Sequence, residues 1–255
     1  MIIVMKSLLV KVLFKFFDLK LVSRVTSWWP EELSEEEKEI ITKILKNELS
    51  MVSKESLIAT ALSCKYVLAN EIPGDFVECG VFRGGNAILA ASIFQSNGSK
   101  KKVWLFDTFE GNTSPNLQLD GIEAVSRHEA SQRLEYNEWS YCSLEQVQEN
   151  FRSFNLLSDK ICFIKGDVRK TLLVAENCPK TISVLRLDTD WFDSTIQELK
   201  SLYPLLSGGN KRGVIIIDDY GYSSGARAAT ELYFTNSVRP FFVPIDNSAR
   251  IGLKE

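Results

Sequence analysis

The chain has 255 residues, 45% hydrophobic and 25% charged, and its 33 acids against 30 bases leave a net charge of −3. That balance belongs to a folded globular chain and excludes a disordered tail, a collagen-like repeat and a disulfide-built miniprotein. It also argues against a nucleic-acid partner, whose phosphates need a basic surface. Five cysteines (Cys64, Cys79, Cys142, Cys162 and Cys178) are odd in number and form no C-x-x-C pair. They read as reduced thiols of a cytoplasmic protein, not as a zinc framework.

Residues 1–26 are apolar, but Lys6, Lys11, Lys15, Asp18, Lys20 and Arg24 interrupt them. No uncharged window of about 18 residues is left to span a membrane, and no signal-cleavage pattern follows. As a helix, Lys11, Lys15 and Asp18 form one stripe, with Lys6 and Arg24 almost opposite. Two narrow stripes are not the broad polar face of a membrane-surface helix. Burial between the protomers of a homo-oligomer is the first reading, with lysine stems reaching outward. Weak contact with the inner membrane face is the second. Residues 1–50 are expected to form an N-terminal helical extension and 51–255 the main domain.

Ser34 and Glu37 make a capping box, opening a helix with Ile40, Ile41, Ile44, Leu45 and Leu49 on one stripe. A second helix follows Ser53, and Pro73-Gly74 stops it. Five short apolar runs come next: Phe76-Val77, Val103–Phe106, Ile161–Ile164, Ser183–Leu187 and Val214–Ile217. Helical stretches separate them at Ala87–Phe94, at Ser143–Phe154 (opened by a Ser-x-x-Gln box) and at Ile196–Leu206. Strands alternating with helices mean parallel strands and crossover helices. A last pair, Phe241–Ile245 and Arg250–Leu253, closes the sheet as a hairpin. The expected fold is an open, doubly wound α/β sheet, mostly parallel and seven-stranded.

Each of the five runs is followed by an acid within three residues: Glu78, Asp107, Asp167, Asp188 and Asp218, the last followed by Asp219. Parallel strands share one carboxyl edge, where ligands bind, so the spacing gathers these carboxylates along one crevice. The first turn carries Gly80, Gly84 and Gly85 in the order G-x-x-x-G-G. This is neither the dinucleotide pattern G-x-G-x-x-G nor a Walker loop with its lysine. With Glu78 just ahead of it, a cofactor with a cationic centre and no phosphates fits better, and S-adenosylmethionine has that chemistry. Asp107 sits where a ribose diol is held. Asp167 either receives an adenine amino group or is a plain turn residue after Gly166.

The densest constellation is Asp188, Asp190, Asp218 and Asp219, at the ends of two adjacent strands. Hard carboxylate oxygens crowded in this way suit Mg²⁺ or Mn²⁺, and without something positive among them they would repel.

The stretches GDFVECGVFRGG (74–85), FDTFEG (106–111), KGDVRKTL (165–172), LDTDWFDST (187–195), LYPLL (202–206) and IIDDYGYSSGARAA (216–229) resemble the macrocin O-methyltransferase family. These are class I S-adenosylmethionine-dependent methyltransferases of Rossmann-like fold, and the similarity runs from about residue 50 to the carboxyl end. The resemblance implies Mg²⁺-dependent methylation of a sugar hydroxyl on a glycoside. It implies Asp188, Asp218 and Asp219 as metal ligands and Asp188 as proton acceptor, while Asp190 is the other candidate base. It implies Glu78, Gly80, Arg83, Gly84 and Gly85 as the first cofactor loop, Asp107 at the ribose and Asp167 at the adenine. Phe192 replaces a frequent tyrosine, and Asn210, Lys211 and Arg212 lengthen the turn before the fifth strand.

Residues 108–142 are long, polar and weakly periodic, as functional loops often are. They are expected to form a lid over the acceptor, with Tyr136, Trp139 and Tyr141 as stacking groups. His128, the only histidine, reads as a surface residue. Competing readings are a catechol-like methyl acceptor, a Rossmann enzyme of nucleotide sugars, and a non-catalytic cofactor-binding module.

Overall fold

A computed structural model describes residues 28–255, so the readings placed on residues 1–26 lie outside the described part. Seven strands form one sheet: β1 Asp75–Cys79, β2 Val103–Asp107, β3 Ile161–Lys165, β4 Ile182–Leu187, β5 Val214–Ile217, β6 Val243–Pro244 and β7 Arg250–Leu253. Their order is β3-β2-β1-β4-β5-β7-β6, with β1 to β5 parallel and β7 antiparallel to both neighbours. The expected sheet and closing hairpin are both present. β6 is only two residues long, because Pro240 and Pro244 offer no N–H to a ladder. From β1 the chain steps to β2 on one side and only later reaches β4 on the other. The order therefore reverses at β1, and a crevice opens beyond the strand ends there.

The helices on the two faces are α1 Glu35–Lys46, α2 Lys54–Ala69, α3 Gly85–Ser96, α4 Leu117–Asp120, α5 Ile122–Ala130, α6 Leu144–Ser153, α7 Val168–Thr171, α8 Phe192–Leu202 and α9 Ser224–Phe234. At α1 the capping box is complete: Glu37 N–H donates to Ser34 Oγ at 3.2 Å and Ser34 N–H to Glu37 Oε2 at 2.8 Å. At α6 only the serine half forms, with Gln146 turned along the helix toward Asn150. α8 starts four residues before the expected Ile196 and stops at Leu202, giving way to a 3-10 turn over Tyr203–Leu205 around Pro204.

Glu32–Glu255 form one compact unit, so α1 belongs with the sheet and not with the segment ahead of it. The compact unit begins at Glu32, ahead of the boundary expected at residue 50. Ile41 and Ile44 of α1 are fully buried, and Gly85 N–H donates to Leu49 O at 3.0 Å, seating α1 against the start of α3. α3 is buried on nearly every side, between the sheet and α1 and α2. Every residue of β4 is buried, as a central parallel strand covered on both faces must be. Among the described residues, no helix is long and apolar enough to cross a membrane.

One buried charge in this core has a pH signature. Glu198 of α8 is fully enclosed; its Oε1 accepts from Thr189 Oγ1 at 2.8 Å and its Oε2 has no partner. Burial pushes its carboxyl up to about 8, against the pull of the Thr189 hydroxyl. A carboxyl raised on folding adds stability below its ordinary pKa of about 4.3 and loses that contribution as pH climbs through the folded value. Wild-type melting temperature should therefore decline from mildly acid to mildly alkaline pH, and Glu198→Gln should flatten the decline. Parallel melting profiles for the two proteins would refute this role.

Candidate active site

The site is assembled by strand register. In the parallel pair β1–β4, Glu78 lies beside Arg186, and in β4–β5, Leu187 lies beside Ile217. Side chains alternate along a strand, so Arg186 and Asp188, two apart, share a face, and Asp218 follows Ile217 onto the same face. Glu78, Arg186, Asp188 and Asp218 are thus placed together by backbone geometry alone.

Arg186 is completely buried and sits among the acids. Its Nη2 bonds Asp218 Oδ1 at 2.6 Å and Asp188 Oδ2 at 2.9 Å, its Nε lies 3.2 Å from Glu78 Oε1, and its Nη1 reaches Ser56 Oγ of α2 at 3.3 Å. Burial works against its charge, but Asp218, Asp188 and Glu78 outweigh burial and raise its pKa above the usual arginine value. This guanidinium is the positive charge that the acid cluster requires, and a lone arginine in the apolar run Ser183–Leu187 was the overlooked signal.

Asp188, Asp218 and Asp219 each offer a carboxylate oxygen within 4.8 Å of the others. Asp219 lies in the 3-10 turn Asp218–Gly221 that follows β5, is buried, and accepts from Asp190 N–H at 2.9 Å through Oδ2. Burial, Asp218 and the other nearby acids raise Asp188 well above the carboxylate range, and burial with Asp190 and Asp188 does the same to Asp219. Arg186 alone does not neutralise the set. One more cation among hard oxygen donors is what the chemistry of the cluster favours, so the residues fit a divalent ion such as Mg²⁺.

Asp190 takes a left-handed backbone, φ 65°, which a non-glycine residue adopts only under constraint. Its Oδ2 accepts from Asn112 Nδ2 at 2.9 Å, and its carbonyl accepts from Ser223 Oγ. Gly80, φ 82°, is required by its neighbour across the strands. A Cβ there would lie 1.7 Å from the Asp188 carbonyl oxygen, so the close approach is between β1 and β4.

Glu78, Gly80, Asp107, Asp188, Asp190, Asp218 and Asp219 all line one cleft of about 340 Å³. Burial lifts the Glu78 carboxyl to about 8 despite Arg186 beside it, and its Oε2 has no partner. That orphaned oxygen at the strand end suits a cationic ligand group such as an ammonium. Asp107 Oδ2 accepts from Val81 N–H at 2.6 Å and Phe82 N–H at 3.2 Å, and its Oδ1 from Phe109 N–H at 2.7 Å. It ties the first turn to the end of β2 while still facing the cleft.

Four expected cofactor residues do not line this cleft. Arg83 turns outward, donating to Glu48 O at 3.2 Å and lying 5.0 Å from the Phe82 ring centroid. Gly84 packs under Phe151 and Val147 of α6, and Gly85 under Leu49 and Ser50, so both serve helix packing. Asp167 caps α7 and is gripped by Arg169, Nη2 to Oδ2 at 2.7 Å and Nε to Oδ1 at 3.0 Å. Although burial opposes it, that grip holds the Asp167 carboxyl below its ordinary range.

The polar stretch 108–142 carries α4 and α5, two short helices with no buried residue. Trp139 lines the cleft, with the Arg127 guanidinium 3.8 Å from its ring centroid. Tyr136 and Tyr141 instead pack on each other, ring centroids 4.3 Å apart. His128 Nε2 lies 3.1 Å from Asn112 O and holds the loop together outside the cleft.

Replacing Arg186 with methionine leaves three carboxylates facing one another without their buried partner. A loss of about 3–5 kcal/mol is expected, read from urea unfolding of Arg186→Met. Unchanged stability would show that the acids do not depend on it.

Known proteins are similar to this chain. The chain is 40% identical over 156 residues to the 8-demethyl-8-(2,3-dimethoxy-alpha-L-rhamnosyl)-tetracenomycin-C 4'-O-methyltransferase of Streptomyces olivaceus, covering 60% of this chain and 56% of that one. It is 35% identical over 168 residues to the demethyldecarbamoylnovobiocin O-methyltransferase of Streptomyces niveus, covering 66% and 60%. The matched stretch thus spans less than two thirds of either relative. The solved structure of the O-methyltransferase NovP superposes with a TM-score of 0.70 at 30% identity, over 80% of this chain and 81% of that one. The profile of the macrocin O-methyltransferase (TylF) family matches residues 10–249, and the chain belongs to that family.

Proposed function

We propose that this protein transfers the methyl group of S-adenosylmethionine to a sugar hydroxyl of a glycoside or natural-product precursor, with Mg²⁺ at Asp188, Asp218 and Asp219. The observation that carries the reading is the meeting, in one cleft, of that carboxylate cluster with the unpartnered Glu78 oxygen and Asp107. Family membership and the names of the relatives support the class of reaction. The carboxyl edge of the sheet holds the donor along Glu78, Gly80 and Asp107, which leaves the acid cluster for the acceptor.

Methyl transfer from a sulfonium to an alcohol is an in-line displacement, so alignment of oxygen, methyl and sulfur supplies much of the rate. A neutral sugar hydroxyl must also lose its proton as the methyl arrives. Bound Mg²⁺ supplies Lewis acidity, lowering the pKa of sugar hydroxyls near it. Asp188 is the proton acceptor in this reading, with 24% of its side-chain surface still open and Arg186 holding only its Oδ2. Asp190, steadied by Asn112, stands beside it as the second carboxylate facing the acceptor. Trp139 offers the aromatic wall on which a sugar ring packs.

Calorimetric titration should show micromolar binding of S-adenosylhomocysteine and none of NAD⁺; NAD⁺ binding alone would overturn the cofactor and every residue role tied to it. Asp188→Asn should lower turnover about 10²–10⁴-fold while S-adenosylhomocysteine binding persists, and normal turnover in that variant would remove Asp188 from the reaction. Chelation with EDTA should abolish methylation of glycosides and leave the homocysteine ligand bound, with added Mg²⁺ or Mn²⁺ restoring activity. Turnover of catechols but not glycosides would move the acceptor class.

A further inference from the structure

The segment after β4 makes bonds to the lid at three consecutive residues. Asp190 accepts from Asn112 Nδ2 at 2.9 Å through Oδ2, Trp191 Nε1 donates to Thr113 O at 2.8 Å, and Phe192 N–H donates to Asp120 Oδ1 at 2.8 Å. The third bond is a helix cap supplied from outside the helix. The N-cap of α8 is Trp191, which has no side-chain acceptor of its own, so Asp120 satisfies an N–H of the first turn and places a negative charge at that end.

Two further observations show that this seam is built in. Asp120 Oδ2 accepts from Asn116 N–H at 2.6 Å, so the carboxylate folds its own loop as well as reaching α8. In α9, Gly225 leaves the room it occupies: a Cβ there would lie 1.7 Å from Asp120 Oδ1 and 2.8 Å from Phe192 N. On its other side Asp190 donates its N–H to Asp219 Oδ2 at 2.9 Å, while its backbone stays left-handed. The residue is therefore clamped between the acid cluster and the lid.

We propose that Asp120 is a positioning residue: through the seam with Asn112 and Thr113 it couples the lid to the turn that presents Asp190 to the acceptor. The proposal rests on methyl transfer at this cleft, and it assigns acceptor binding, but not donor binding, to the lid's attachment. Asp120 faces α8 and α9 and is not among the residues that line the cleft. Its effect runs through the backbone of Trp191 and Phe192 to Asp190.

The test compares full-length wild type, Asp120→Ala, Asp120→Asn and Gly225→Ala by hydrogen exchange, acceptor kinetics and S-adenosylhomocysteine titration. In Asp120→Ala, peptides covering 112–130 and 188–193 should gain exchange together while the rest of the chain does not. Acceptor KM should rise about tenfold, the scale of a lost helix cap, with the S-adenosylhomocysteine Kd within about twofold of wild type. Asp120→Asn keeps an oxygen for Phe192 N–H but turns its NH2 toward Asn116 N–H, and should restore part of the acceptor KM. Gly225→Ala leaves the Asp120 charge intact but displaces it, and should reproduce the alanine pattern. Faster exchange confined to 112–130, or an unchanged acceptor KM alongside a loosened lid, would overturn the coupling. Paired exchange in a wild-type background that methylates no sugar would instead overturn the methyl-transfer reading and leave the seam standing.

Discussion

A single arginine in the middle of the sheet carries the electrostatics of this protein. Arg186 is buried on β4, between Glu78 on β1 and Asp218 after β5, with Asp188 two residues further along its own strand. Burying a charge is costly unless it is paired and hydrogen-bonded, and burying several acids together is costlier still. The guanidinium resolves both at once, because its planar fork bonds two carboxylates and lies against a third. It also recruits Ser56, which ties α2 to the strand ends, and Ser56 in turn donates to Asp218 Oδ1 at 3.3 Å. The helical cover over the cleft is thus joined to the acids through polar contacts as well as through apolar packing.

The acids divide into two sets by the way they are held. Asp188 and Asp218 each give an oxygen to Arg186, whereas Asp219 gives an oxygen to the Asp190 backbone and Asp190 gives one to Asn112. The first set carries a resident positive charge. The second has only neutral donors, and burial with neighbouring carboxylates raises the pKa of both members. A cation shared by Asp188, Asp218 and Asp219 would straddle the two sets, stabilising most the members that Arg186 does not reach.

The sheet and the acids were legible in the sequence for a simple reason. Parallel strands announce themselves as short apolar runs, and their carboxyl ends must share an edge, so Glu78, Asp107, Asp188 and Asp218 converge on one cleft. Individual contacts inside the first turn were not legible in that way. Gly84 and Gly85 stand in a glycine-rich loop, and a Cβ on either would meet packed neighbours, Phe151 and Val147 of α6 at Gly84 and Ser50, Leu49 and Ile44 at Gly85. Arg83 has the same ambiguity, since a charge in a turn shows no direction until the Glu48 carbonyl is placed beside it. Asp167 was open between turn and ligand contact, and Arg169 two residues later takes up its carboxylate. Arg186 was hidden for the opposite reason: an arginine in an apolar run looks like an exposed edge position, and only the register with Glu78 shows it to be central.

The stretch 108–142, expected to be a lid, is where local pattern fails most clearly, and the failure follows from how its helices are held. α4 and α5 are four and nine residues long and have no buried residue, so each writes only a short pattern into the sequence. They are fixed by polar bonds at particular points: Asn112 to Asp190, the Thr113 carbonyl to Trp191, and Asp120 to Phe192. Gly111 adds a backbone contact of the same kind, since a Cβ on it would lie 1.8 Å from Asn137 O. A few hydrogen bonds hold such a segment less firmly than a buried apolar face would, so it belongs to the low-stability end of the fold. The sheet and its buried Arg186 form the rigid part, on which Glu78, Asp188 and Asp218 keep their spacing with or without the lid. Asp190 is the point where the two meet, bound to the rigid acids through its backbone and to the lid through its carboxylate, and its left-handed backbone is the strain of satisfying both.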